Sequence, residues 1–289
     1  MAGSIHIGVG GWTYEPWRDN FYPKGLAKTR ELEFASRHLT AIEVNATYYG
    51  TQKRESWRKW AETVPDGFVF TVKASRFCTN RRVLADAGES IDKFVSQGIA
   101  ELRSKLGPIL WQFAPTKLFD AADFGAFLKL LPKDVEGVAL RHALEVRHPS
   151  FACAEFVDLA RHHGCAIVFA DHESYPAIAD MVAPFVYARL QQTRSHLAAG
   201  YEDDALDHWA DIAKQWAAGK APEELRYVVG AISDGADRDV FAFVIGGAKE
   251  RNPAAAMRLI ERTGGMPVAS GLTFGQNSSL GGIRRPARA

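Results

Sequence analysis

The chain has 289 residues, 47% of them hydrophobic, and its 35 Lys plus Arg against 34 Asp plus Glu leave a net charge of +1. That apolar fraction excludes a disordered chain and supplies a large core, while the charge balance gives no general reason to seek nucleic acid or an acidic membrane as partner. No apolar run reaches the roughly 18 residues a membrane helix needs.

Short apolar, β-branched and aromatic runs predict strands at 5–12, 41–49, 68–75, 108–113, 142–148, 166–172, 185–191 and 239–247. Amphipathic stretches between most of them predict helices over Thr29–His38, Arg54–Thr63, Ile91–Lys105, Asp123–Leu131, Cys153–His163, Asp203–Ala218 and Pro253–Thr263. Pro253 near the start of the last suits a helix N-terminus. Strand–helix alternation argues for βα units and a parallel sheet. Eight units in a chain of this length suit closure into a single (β/α)8 TIM-type barrel, which takes about 250 residues; a doubly wound open sheet is the competing topology. RYVVGAIS (226–233) reads as a possible ninth strand. The barrel domain is expected over 1–264, followed by a loosely ordered Gly/Ser/Arg-rich tail over 265–289.

Strand residues alternate faces, and the outer face of a barrel packs on helices. Ile42 and Val44 should therefore point out, with Glu43 and Asn45 in. The same parity turns Thr71, Lys73, Glu145, Arg147, Tyr187, Arg189 and Gln191 inward, with Gln112 and Asp171 joining them. These charges come late in their strands, at the carboxyl end where barrel enzymes place their active sites. Two readings follow: a ligand pocket lined by Glu43, Asn45, Lys73, Gln112, Glu145, Arg147, Asp171 and Arg189, or an ion-pair network closing the barrel mouth, where buried charges must be paired. The two are compatible.

The chemistry of the set favours an anion. Arginine binds carboxylate or phosphate bidentately, and a divalent metal wants carboxylates or imidazoles without cations among them. Metal binding through Glu43, Glu145, His148 and Asp171 is thus disfavoured. Lys73 near Glu43 reads as a proton-transfer pair, an imine-forming amine, or an ion-pair partner. The dense aromatics of the first loop, Trp12, Tyr14, Trp17, Phe21 and Tyr22, either stack a ligand at the rim or pack the loop onto the barrel.

Other signals are negative. GVGGW (8–12) lacks dinucleotide-fingerprint spacing, and there is no P-loop, GxSxG or HExxH. The opening MAGSIHIGVGGW lacks the regions of a secretory signal. Cys78, Cys153 and Cys165 form no CxxC pair, so neither a disulfide framework nor a zinc site is indicated, and a cytoplasmic location is expected.

Several long segments, in order, carry a family resemblance: GVGGWTYEPWRDNFYP (8–23), IEVNATYYGTQKRESWRKWAETVPDGFVFTVKASRFCTN (42–80), LGPILWQFAP (106–115) and LEVRHPSF (144–151). The chain resembles the YecE-like proteins, domain-of-unknown-function family 72 (DUF72), over roughly residues 5 to 263. The resemblance implies a TIM-type barrel and no established reaction. It places Trp12, Tyr14, Trp17, Glu43, Asn45, Thr47, Tyr48, Lys73, Gln112, Glu145, Arg147, His148 and Arg189 at motif positions. Two departures lie at the expected rim: many members carry His-Gly where this chain has Gln191 and Gln192, and Asn-Asn where it has Gly246 and Gly247.

Three functions fit. The first is an enzyme acting on a small anionic or polyhydroxyl substrate, with Glu43 or Glu145 as acid or base and Arg147, Arg189 and Lys73 as clamp; no cofactor is assigned. The second is a nucleic-acid-binding or repair barrel, suggested by fold analogy, the aromatic loop and the tail arginines, and opposed by the near-neutral charge and poor metal set. The third is a non-catalytic barrel that binds a ligand and leaves it unchanged.

Overall fold

A computed structural model describes residues 2–18 and 20–265, so the tail assigned to 265–289 lies, from 266 onward, outside the described residues. Eight parallel strands close into a barrel: β1 (Ile5–Gly10), β2 (Ala41–Val44), β3 (Val69–Lys73), β4 (Leu106–Gln112), β5 (His142–Glu145), β6 (Ala166–Asp171), β7 (Phe185–Leu190) and β8 (Asp239–Val244). Each strand pairs with its sequence neighbours, and β1 pairs in parallel with β8 to close the ring. This is the expected (β/α)8 topology, and it removes the open-sheet alternative.

The outer layer comprises α1 (Glu31–His38), α2 (Arg54–Thr63), α3 (Arg76–Thr79), α4 (Gly88–Val95), α5 (Ala121–Lys129), α6 (Ala154–His162), α7 (Asp203–Ala217) and α8 (Asn252–Arg262). Charges complement the helix dipole at both ends of several: α1 starts with Glu31 and Glu33 and ends with Arg37 and His38, and α6 starts with Glu155 and ends with Arg161 and His162. The side chain of Asp120 accepts from the Asp123 amide and starts α5 two residues before the expected boundary. The single helix expected over Ile91–Lys105 is broken. Gly98 takes a left-handed φ of 106° between α4 and a tight helical turn over Ile99–Lys105, and a Cβ there would stand 3.0 Å from Arg54 Cα.

Strand parity divides the apolar residues as expected. Ile42, Val44, Phe70, Val72, Leu144, Val146 and Ala188 pack outward with the helices. Ala41, Val69, Leu110, Ala143, Ala166, Val168, Phe185, Tyr187, Phe241 and Phe243 fill the interior. Alanine and valine on β2, β3, β5 and β6 thus face aromatic residues on β7 and β8.

The connection from β6 to β7 carries no helix. Residues 226–233, the possible ninth strand, lie beside it without strand structure. A closed barrel has no free edge for another strand to join. The segment is held instead by Ala179, whose amide donates to Arg226 O at 2.9 Å, and by the Asp180 carboxylate, which accepts from the Val228 and Val229 amides at 2.7 and 3.0 Å. Asp180 is buried. Asp180→Ala is expected to lower the unfolding free energy by about 2 kcal/mol, the scale for losing hydrogen bonds to a charged acceptor. Urea denaturation checks this, and an unchanged midpoint would show that the connection is fixed by other contacts.

Candidate functional site

At the carboxyl ends of β2, β3, β4, β5 and β7 the inward side chains form one connected polar cluster. Its centre is Arg189 on β7, buried with its guanidinium between two carboxylates. Nη1 donates to Glu145 Oε1 and Oε2 at 2.9 and 2.7 Å, and Nη2 donates to Glu43 Oε1 at 3.1 Å. Both glutamates are wholly buried. The second Glu43 oxygen accepts from Tyr187 Oη at 2.7 Å, and Thr71 Oγ1 lies 3.0 Å from the same hydroxyl. Glu145 also accepts from Gln112 Nε2 at 2.6 Å and from Arg147 Nε and Nη2 at 3.0 and 2.9 Å.

These contacts decide the protonation states. Burial alone would raise the Glu145 carboxyl, but the guanidinium groups of Arg189 and Arg147 and the Gln112 amide outweigh it and hold it down to about 2. Burial works against the Arg189 charge, yet Glu145 and Glu43 more than offset it and raise its pKa. Tyr187 is pushed up by burial and then by Glu43, so it donates rather than ionises.

Lys73 stands apart. Its ammonium donates to Gln112 Oε1 at 2.7 Å and lies 4.2 Å from the centroid of the Tyr48 ring. Among the described residues it makes no ion pair. Burial, followed by repulsion from Arg189, pushes it down to about 8 despite Glu43 and Glu145. Lys73 and Arg147 are half-buried, while the two acids and Arg189 lie beneath them. Two donors in this region have no partner among the described residues: Arg189 Nε and Gln191 Nε2.

The other expected site residues divide. Asn45 sits at the end of β2, with its amide 3.3 Å from Glu43 O. Thr47 Oγ1 lies within hydrogen-bond reach of both Val44 O and Lys73 O, at 3.1 and 2.6 Å, and ties β2 to β3. Tyr48 faces Lys73. Asp171 does not join the set: it follows Ile167 and Phe169 on the outer parity of β6, and its carboxylate is bonded by Gln192 and Tyr201. His148 is also outside, since its ring caps the turn Pro149–Phe151 by accepting from the Ser150 amide. The first-loop aromatics pack the loop. Trp12 meets Trp60 and the outward Phe70 at 4.9 and 6.2 Å, and the buried Trp17 donates its indole N–H to Lys249 O at 2.7 Å. Tyr14 packs edge-on against Trp17. Tyr175, in the β6–β7 connection, lies 4.6 Å from the Arg147 guanidinium and stacks on His172. No alternation of residues marks it in the sequence.

Among the described residues no three His, Cys, Asp or Glu side chains gather as a metal-ligand group. Cys78, Cys153 and Cys165 are free thiols. No helix among the described residues is long and apolar enough to cross a membrane.

A family model described as "Protein of unknown function DUF72" matches residues 6–271. The chain belongs to the DUF72 family. A curated relative, the UPF0759 protein YunF of Bacillus subtilis, is 32% identical over 116 residues, which is 38% of this chain and 40% of the relative's own length. The DUF72 barrel of Thermotoga maritima has a TM-score of 0.68 at 18% identity and covers 89% of this chain and 98% of its own. A DUF72 protein of Enterococcus faecalis has a TM-score of 0.64 at 16% identity and covers 90% and 95%. At those identities the likeness is one of fold. In this DUF72 chain the departure at Gly246 has a local cause: a Cβ there would stand 1.9 Å from Thr193 Oγ1, so no side chain fits while Thr193 holds its place.

Removing one partner from a buried ion pair strands the other, at a typical cost of about 3–5 kcal/mol. Arg189→Leu should therefore unfold at markedly lower urea than the wild type, and a midpoint unchanged within error would mean the carboxylates do not depend on it. The depressed Glu145 pKa adds stability that is present above the ordinary 4.5 and is lost as pH falls through about 2. Glu145→Gln should accordingly flatten the pH dependence of unfolding in that window, whereas a profile parallel to the wild type would exclude Glu145 as its source.

Proposed function

We propose that the carboxyl-end cluster binds a small organic anion carrying a carboxylate or phosphate, and that Lys73 is the group that gives or takes a proton there. One observation carries this reading: both acids are buried and paired with the buried Arg189, while the half-buried charges, Lys73 and Arg147, are both cationic. Two carboxylates, Glu43 and Glu145, stand against three cations, Lys73, Arg147 and Arg189, and the cations nearer solvent are Arg147 and Lys73. An excess positive charge beside low-dielectric walls favours an anion. The guanidinium of Arg189 keeps one further N–H, Nε, without a partner among the described residues, and a guanidinium has no acceptor.

The acid–base role expected of a glutamate passes to the lysine. Glu145 stays ionised with both oxygens occupied, and both Glu43 oxygens accept hydrogen bonds away from solvent. An amine near 8 sits close to working pH, where general acid–base groups are most effective.

Sulfate and small dicarboxylates should raise the thermal unfolding temperature of the wild type, and less so that of Arg147→Ala. A bound anion favours the protonated amine, so stabilisation should weaken as pH rises through about 8. Equal stabilisation of wild type and Arg147→Ala, or none of either, would contradict the proposal. An anion that binds and is recovered unchanged from every candidate reaction would leave a binding barrel without chemistry.

A further inference from the structure

We propose that Lys73 forms an imine with the carbonyl group of a short oxo acid whose carboxylate is held by Arg147. This rests on the anion-binding reading above and adds the reaction and the substrate class.

A lysine at the end of a barrel strand ordinarily serves as an ion-pair partner, and this one does not. Both carboxylates in reach of the cluster are taken. Glu145 is bonded by Arg189, Arg147 and Gln112, and Glu43 by Arg189 and Tyr187. The Lys73 amine is left with a neutral acceptor, Gln112 Oε1, at 2.7 Å. That carboxamide cannot turn freely, because its nitrogen donates to Glu145 Oε2 at 2.6 Å. Its oxygen is therefore always presented to the amine, orienting it without fixing a charge on it. The Tyr48 ring covers one side, and two guanidinium groups, those of Arg189 and Arg147, oppose protonation. A desolvated amine next to other cations is the arrangement that makes a lysine nucleophilic.

The step balances without a co-reactant. The lone pair on Nζ of the neutral amine attacks the carbonyl carbon, and the C=O π pair moves to oxygen. The oxygen then takes both amine hydrogens and leaves as water, and the C=N bond remains. Arg147 donates to Glu145 through Nε and Nη2, at 3.0 and 2.9 Å, so Nη1 is the nitrogen left to take the substrate carboxylate.

The test is reductive trapping on the full chain. Glyoxylate is added with cyanoborohydride, the intact mass is measured, and the adduct is located by peptide mapping, with neutral glycolaldehyde as the comparison. One glyoxylate equivalent on Lys73, faster than glycolaldehyde and absent in Lys73→Arg, is expected. Labelling spread over other lysines, and equal in wild type and Lys73→Arg, would overturn the proposal. Gln112→Glu tests the positioning residue with a readout that packing damage would not give. A carboxylate beside the amine raises its pKa, and each unit is about a tenfold loss of neutral amine. Trapping at neutral pH should slow at least about tenfold and recover at higher pH; slowing by the same factor at every pH would contradict the assigned role of Gln112. Sulfate stabilisation measured on the same preparation separates the two readings: stabilisation without an adduct sinks the imine alone, and the absence of both sinks the anion site as well.

Discussion

The guanidinium of Arg189, clamped inside the barrel between Glu145 and Glu43, is the constraint on which the carboxyl end depends. A charge enclosed this deeply is tolerated only when paired and hydrogen-bonded. Here the pairing spans three strands, no two of them adjacent in the ring: β7 supplies the cation, β5 and β2 the anions. Tyr187 and Thr71 complete the Glu43 side, and Gln112 and Arg147 complete the Glu145 side. The network is structural and at the same time sets the electrostatics of the mouth.

Its consequence is a division of labour among like residues. The acids are committed to buried cations and their protons are gone at any ordinary pH for Glu145. The amine of Lys73 is left without an anionic partner and is lowered by burial and by Arg189. Of the two alternatives at the level of sequence, the ion-pair network is seen directly, with Arg189, Glu43 and Glu145 paired below the half-buried Lys73 and Arg147. The β6–β7 connection, which carries no helix, adds Tyr175 over Arg147.

Much of this was legible in the sequence because strands with one polar and one apolar face announce their orientation. Ile42 and Val44 against Glu43, or Leu144 and Val146 against Glu145, leave one sensible choice of face. Strand β6 has no such alternation. In AIVFAD both faces are apolar, so residue type does not say which way Asp171 turns, and it turns outward with Ile167 and Phe169. The aromatics of the first loop were ambiguous for a related reason: Trp12 and Trp17 are suited equally to a ligand and to packing, and only the position of Trp60, Phe70 and Lys249 decides for packing. RYVVGAIS has strand composition but no free edge to join. His148 lies in a family motif, yet its ring is used to cap a turn.

The central claim is that pairing within the cluster consumes both carboxylates and leaves the Lys73 amine only a neutral partner. The most direct measurement is an NMR titration of the Lys73 side chain, with the signal assigned by comparison with Lys73→Arg. A midpoint near 8 is the expected result. A midpoint at or above the ordinary value of about 10.4 for lysine would contradict it, because it would mean that a carboxylate, and not Gln112, holds the charge.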